Sequence, residues 1–326
     1  MKRIRRSIAF CLAVLLILGL FAGCQTAPER TTETTESVRD DLHAGLNPSQ
    51  GESGKNLHPL TVRSEGSNPV KDYTVLVYMV GSNLESQGGY ASEDILEMLD
   101  SGLSCENNNL LVYTGGATSW SLNIRSDVNT VYALNTSGDT MEEVAVTGQP
   151  VNMGDPQTLL DFLNYATTYY PAEKYGLICW DHGGGPLFGF GSDELFEHDG
   201  LGVWELQAAL EAASFGDQKL GFIGFDACLM ASLEVAAILA PYAEYLVASE
   251  EVEPGNGWDY SFLQTLNTTD DTLTLAQSIL DTYRTAMEAD FWRPEYTLSC
   301  VDLNRVFDVI GSMDGVWRQK IGRAHV

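Results

Sequence analysis

Two uninterrupted apolar runs stand out in the middle of the chain, at 175–180 and 220–225, and neither alternates with polar residues. Runs of this length and pattern predict strands covered on both faces. The first stops at Asp181 and the second at Asp226. Apolar stretches at 73–80, 109–113, 245–249 and 296–302 predict four further strands. The pair 130–134 and 141–146, around Ser137-Gly138-Asp139, predicts a hairpin insertion. Apolar positions recur at helical spacing over 93–103, 159–170, 203–213, 229–240 and 274–289. Strands and helices alternating in this way predict an α/β fold with a mostly parallel central sheet and helices on both faces.

The ends of the chain follow other patterns. Lys2, Arg3, Arg5 and Arg6 precede an apolar run over 8–21 that is short for a membrane span, and Ala22-Gly23-Cys24 supplies small residues at a cleavage point. This resembles a bacterial lipoprotein signal over 1–24, with Cys24 as the lipid-bearing first mature residue; an ordinary cleaved signal peptide is the alternative. Residues 25–70 are rich in Thr, Glu, Ser, Asn and Gly. They predict a disordered tether that reaches roughly 35–40 Å from a membrane. Ile321-Gly-Arg-Ala-His-Val326 is what a common sequencing-adapter read encodes, so 321–326 is expected to be foreign to the protein. The folded domain is then 71–320, expected to lack its own C-terminal part.

The candidate chemistry lies at strand ends. Cys228 follows the run that ends at Asp226, at the expected first turn of the next helix, where a helix dipole would favour a thiolate. His182, in Asp181-His182-Gly183-Gly184-Gly185, follows the other run. A parallel sheet puts both ends on one edge, so the two can meet although they are 46 positions apart. A base beside a thiol is the minimal nucleophilic pair, because a free thiol is only slightly ionised at neutral pH. Acyl transfer through such a pair would use the backbone N–H groups of Gly183 and Cys228 as the oxyanion site. Of the other histidines, His43 and His58 lie in the tether and His325 in the tail, which leaves His198. Cys105, Cys179 and Cys300 have neither disulfide-framework nor zinc-ligand spacing, and Cys179 and Cys300 read as core residues. A serine hydrolase is disfavoured because no Gly-x-Ser-x-Gly occurs.

The His-Gly after one strand, the Asp-Ala-Cys after the next, and the early strand running into Gly81-Ser82-Asn83-Leu84-Glu85 together resemble the clostripain family of cysteine peptidases over about 72–302. The resemblance implies a caspase-like α/β/α sandwich, a Cys-His dyad without a third member, and preference for Arg or Lys before the scissile bond. It makes Asp226 the first candidate for the specificity carboxylate, with Glu250 and Glu251 next. Asn256 stands in the loop where a family member would be expected to offer an acid. Activation by a cut after a basic residue between His182 and Cys228 would have only Lys219 to use, beside a core strand. Clostripain depends on calcium, so Ca2+ at the acidic loop 192–199 is conceivable, although the loop lacks an EF-hand pattern and reads better as a solvated flap carrying His198.

The formal net charge of −27 argues against nucleic acid and anionic lipid as electrostatic partners. It suits cationic substrates or simple solubility equally. Between Gly115 and Tyr283 the only basic residues are Arg125, Lys174 and Lys219. The expected protein is a lipid-anchored endopeptidase of a bacterial cell surface or periplasm that acts on peptide or protein substrates. The alternatives are an idle binding lipoprotein with the same fold and a peptidase of narrow, non-basic specificity.

Overall fold

The structure, a computed structural model, describes residues 60–63, 68–216, 218–291 and 295–321, with side chains up to 313. The signal, the tether over 25–59 and 64–67, and the tail over 322–326 lie outside the described residues.

A nine-stranded sheet carries the fold, in the spatial order β1-β5-β4-β3-β2-β6-β9-β10-β11. Its centre is β2 (Lys71–Val80), β3 (Asn108–Gly115), β6 (Ala172–Trp180), β9 (Leu220–Asp226) and β10 (Ala243–Ala248), all parallel. Every residue of β3 and β9 is buried, as the unbroken apolar runs predict. Side chains alternate between two cores. Leu76 and Tyr78 face α2 (Pro156–Tyr169), α4 (Val203–Ala212) and α5 (Leu233–Leu239), while Val75, Val77 and Met79 face α1 (Tyr90–Asp100) and α6 (Thr272–Ala289). This is an α/β/α sandwich. Asp155 starts α2 by accepting the Gln157 N–H at 2.8 Å, with Pro156 at the first helical position.

The rims depart from the expected alternation. β4 (Thr130–Leu134) and β5 (Met141–Val146) pair as a hairpin, but β4 also joins β3 antiparallel, so the hairpin extends the main sheet instead of being inserted beside it. Beyond it lies β1 (Thr61–Val62), from the stretch expected to be tether, paired with Val146 and Ala145 of β5. β11 (Ser299–Asp302) runs antiparallel to β10. The chain between them makes two passes over the sheet, a 3-10 segment (Tyr260–Asn267) and then α6, and an even number of passes returns it reversed.

The largest correction falls beside Cys228. The helix expected from 229 starts at Leu233, where the Ser232 hydroxyl caps the Val235 N–H at 3.2 Å. Residues 227–232 are irregular, because Leu229 N–H donates to Glu251 O and Ala231 N–H to Ser249 O, at 3.0 and 2.9 Å. Bonds to this strap after β10 take the place of a first helical turn.

Candidate active site

The carboxyl ends of β2, β6 and β9 converge on one edge of the sheet. Trp180 and Asp226 form the last register pair of β6 and β9, and the Asp181 N–H donates to Asp226 O at 3.3 Å. His182 and Cys228 stand two residues beyond that pair, at matching positions. Gly183 touches the Cys228 backbone so closely that a Cβ at Gly183 would overlap the Cys228 carbonyl oxygen. Gly183 also faces Phe190 in an antiparallel bridge whose two bonds run from Gly184 N–H to Gly189 O and from Gly191 N–H to His182 O. The Gly183 N–H is outside both bonds.

Cys228 is half-buried, and its Sγ accepts the Glu253 N–H at 3.3 Å. Burial pushes the thiol pKa above its ordinary value, and the Asp226 and Asp181 carboxyls add to the shift against the pull of the Glu253 N–H. The expected helix-dipole assistance falls away, because the helix starts only at Leu233. Leu229, the next residue, has φ of 66°, a left-handed conformation that costs a branched side chain about 1–2 kcal/mol.

His182 is half-buried, and its Nε2 lies 2.7 Å from Asn83 Oδ1. Burial first, and then neighbouring His198, lower its pKa to about 4. Burial thus favours the neutral form of both the His182 imidazole and the Cys228 thiol. Ser82, fully buried with φ of 47°, donates through Oγ to Asp181 Oδ1 at 2.6 Å. The other Asp181 oxygen accepts the Ser192 N–H at 2.6 Å.

Asp226 is 5% exposed, and its carboxylate is committed within the protein. It accepts the Trp258 N–H at 3.2 and 3.3 Å and the Tyr260 hydroxyl at 3.0 Å. Gly257, at φ of 56°, must be small here, because a Cβ would come within 2.8 Å of Asp226 Oδ1. Beside Asp226 lies a second carboxyl that sequence reasoning missed. Glu253 is 6% exposed and lies against the Asp226 carboxyl and the Trp258 indole, in contacts that fall short of good hydrogen-bond geometry. Burial, and then the Asp226 carboxyl, push its pKa well up. Glu250 and Glu251 are exposed, and Asn256 is half-buried in a turn closed by Gly257 N–H to Pro254 O at 3.0 Å.

The clostripain-family model, Peptidase C11, matches residues 77–325. The chain belongs to the clostripain family. Clostripain of Hathewaya histolytica is 34% identical over 137 residues, 36% of this chain and 25% of that protein, so the chain spans about a quarter of the length of the curated relative it matches. A secreted C11 cysteine protease from Bacteroides thetaiotaomicron, solved with an irreversible peptide inhibitor, aligns with a TM-score of 0.59 at 25% identity, over 72% of this chain and 67% of that one. Iotapain, a secreted C11 protease from the same organism, aligns at 0.64 with 17% identity over 77% and 72%. An inactive zymogen C11 protease from Parabacteroides distasonis gives 0.56 at 23% identity over 74% and 64%. The last two likenesses show a shared fold. The sandwich of this clostripain-family chain is the caspase-like one.

The donors for calcium do not fit. Among the described residues no three His, Cys, Asp or Glu side chains gather as a cation cage. The 192–199 loop is a small hairpin of β7 (Phe190–Asp193) and β8 (Asp199–Leu201), whose tip leaves Glu197, His198 and Asp199 exposed as the solvated flap predicts, while Asp193 turns inward. Fully buried Asp193 accepts the Met153 and Leu195 N–H groups at 2.8 Å each, and Glu194 holds Ser86 and Thr118 at 2.9 Å. Glu194 thus ties together the segments after β2 and β3, and Asp193 holds Met153 ahead of α2. Of the residues missed, Asn83 had a readable signal, since it follows a buried strand at the edge that carries His182. Glu253 had none beyond its place three residues after Glu250.

Proposed function

We propose that this protein is a cysteine endopeptidase in which Cys228 is the nucleophile and His182 the base. The observation that carries the reading is the convergence of the β6 and β9 ends, with Gly183 against the Cys228 backbone and the Sγ steered by the Glu253 N–H. The resting pair is a neutral thiol and a neutral imidazole. As Sγ attacks a peptide carbonyl, its proton passes to the imidazole, and the N–H groups of Cys228 and Gly183 stabilise the oxyanion. His182 then protonates the departing amine, and water attacks the acyl-enzyme with His182 again acting as base. Cys228→Ala should abolish hydrolysis while leaving the unfolding midpoint within a few degrees of wild type; retained hydrolysis sinks the assignment.

The buried acids favour substrates with Arg or Lys before the cut. Asp226 shapes the pocket wall, and Glu253 adds a second buried carboxyl against it that a substrate cation would stabilise in its charged form. Its presence offsets Asn256, where an acid was expected. A lipid on Cys24, with the tether, would hold the enzyme at the outside of a bacterial membrane. Cys24→Ser should move it from the detergent phase to the aqueous phase on partitioning, and unchanged partitioning would remove the anchor from this reading.

A further inference from the structure

Asn83 is held from two sides. It follows β2, the immediate sheet neighbour of β6, with Met79 and Trp180 in register. The backbone before it is fastened to the residue before His182, because the Ser82 hydroxyl donates to Asp181 at 2.6 Å and accepts the Leu84 N–H at 3.2 Å. Ser82 keeps a left-handed φ of 47° in doing so, a conformation unusual for a residue other than Gly, Asn or Asp. The Asn83 side-chain oxygen then stands 2.7 Å from His182 Nε2. An amide oxygen can only accept, so the proton in that bond belongs to the imidazole.

We propose that Asn83 is a positioning residue of the reaction: by accepting Nε2–H it fixes the neutral tautomer of His182, and so makes Nδ1 the nitrogen that exchanges a proton with Cys228. The last clause rests on the cysteine-peptidase reading above; the tautomer itself does not. The proton balance is simple. The thiol proton goes to Nδ1 as the S–C bond forms, the imidazolium carries both N–H protons with Nε2–H still on Asn83, and the Nδ1 proton leaves with the amine. A neutral amide orients the ring without stabilising the imidazolium as strongly as a carboxylate would. Of the other titratable groups, Asp181 precedes the ring on its own segment and His198 of the β7–β8 hairpin acts on it; burial first, and then His198, keep the resting ring neutral.

The test has one arm that needs no activity. Long-range 1H–15N NMR of the full chain labelled with 15N-histidine, with His182→Gln to assign the signal, should report the Nε2–H tautomer at pH 7. A Nδ1–H tautomer overturns the proposal, whatever the protein's activity. The second arm is kinetic. Asn83→Ala should lower kcat by about ten- to a hundredfold with KM little changed. Asn83→Asp, which keeps an acceptor and adds charge, should recover most of kcat and move the acid limb of the pH profile upward by about one unit. Equal losses in both variants, with an unmoved acid limb, would mean that Asn83 is only structural. If Cys228→Ala kept full activity while the Nε2–H tautomer was found, the peptidase assignment would fail and the tautomer assignment would stand.

Discussion

Asp226 and Glu253 are neighbours with opposite situations, and the difference assigns them different roles. Asp226 spends its oxygens on Trp258 N–H and Tyr260 hydroxyl, so Asp226→Asn would disturb the 254–258 loop as well as any charge effect. Glu253 is less firmly held, since its contacts to the Asp226 carboxyl and the Trp258 indole fall short of good hydrogen-bond geometry. A buried carboxyl in that state weakens the fold unless a cation arrives or a proton stays on it. Glu253→Gln is therefore the cleaner probe. It should leave the unfolding midpoint unchanged or raised, and should lower kcat/KM for an Arg peptide by about ten- to a hundredfold relative to a matched neutral-residue peptide. A fluorogenic series differing only at the residue before the cut reads this directly. Equal effects on Arg and neutral substrates would remove Glu253 from the specificity pocket.

The segment between β9 and α5 shows how an irregular stretch can be better defined than the helix turn it replaces. Leu229 and Ala231 give their N–H groups to the 249–253 strap, and Glu253 gives its own to Cys228 Sγ, so Cys228 is gripped by the loop that also carries Glu253. The left-handed Leu229 is what this arrangement demands of the backbone. Leu229→Gly removes the strain but loosens the unfolded chain, so it should change stability by less than about 1 kcal/mol. Leu229→Ile, branched at Cβ, should destabilise by a further 1–2 kcal/mol or so. Urea unfolding of the two variants checks the ordering, and an isoleucine variant as stable as the glycine one would contradict a left-handed residue at this position.

Buried acids also set the pH response of the folded domain. Asp94, Asp181, Asp226 and Glu253 all have pKa values pushed above the carboxylate range by burial. A raised folded-state pKa means that the folded state holds protons the unfolded chain releases, so stability from these groups is complete below about pH 4 and is lost as pH rises through the folded values. His182 works the other way: with its pKa lowered to about 4, its contribution is present above about pH 6.5 and lost on acidification between the two values. Four carboxyls outweigh one imidazole, and a net charge of −27 adds self-repulsion as pH rises. The thermal midpoint should therefore be higher at pH 5–6 than at pH 8, with Glu253→Gln flattening the slope. A midpoint that climbs steadily to pH 8 would contradict the protonated state of these acids.

Unbroken apolar runs are local, and what depended on them was legible along the chain: the buried strands, their alternation with helices, and the placing of His182 and Cys228 at strand ends. The motif at Gly81-Ser82-Asn83 was also visible, though its role was not. What depended on pairing between distant segments was not legible. The β1 strand exists because Thr61 and Val62 find β5, and β11 is antiparallel because of an added pass over the sheet. Helical spacing from Leu229 was overridden by bonds to the 249–253 strap. Asn83 meets His182, and Glu253 meets Cys228 and Asp226, only because the sheet sets β2 beside β6 and β9 beside β10. Sequence periodicity reports which face of an element is buried, whereas contacts at strand ends are set by the spatial order of the strands and by loops whose backbone bonds have no periodic signature.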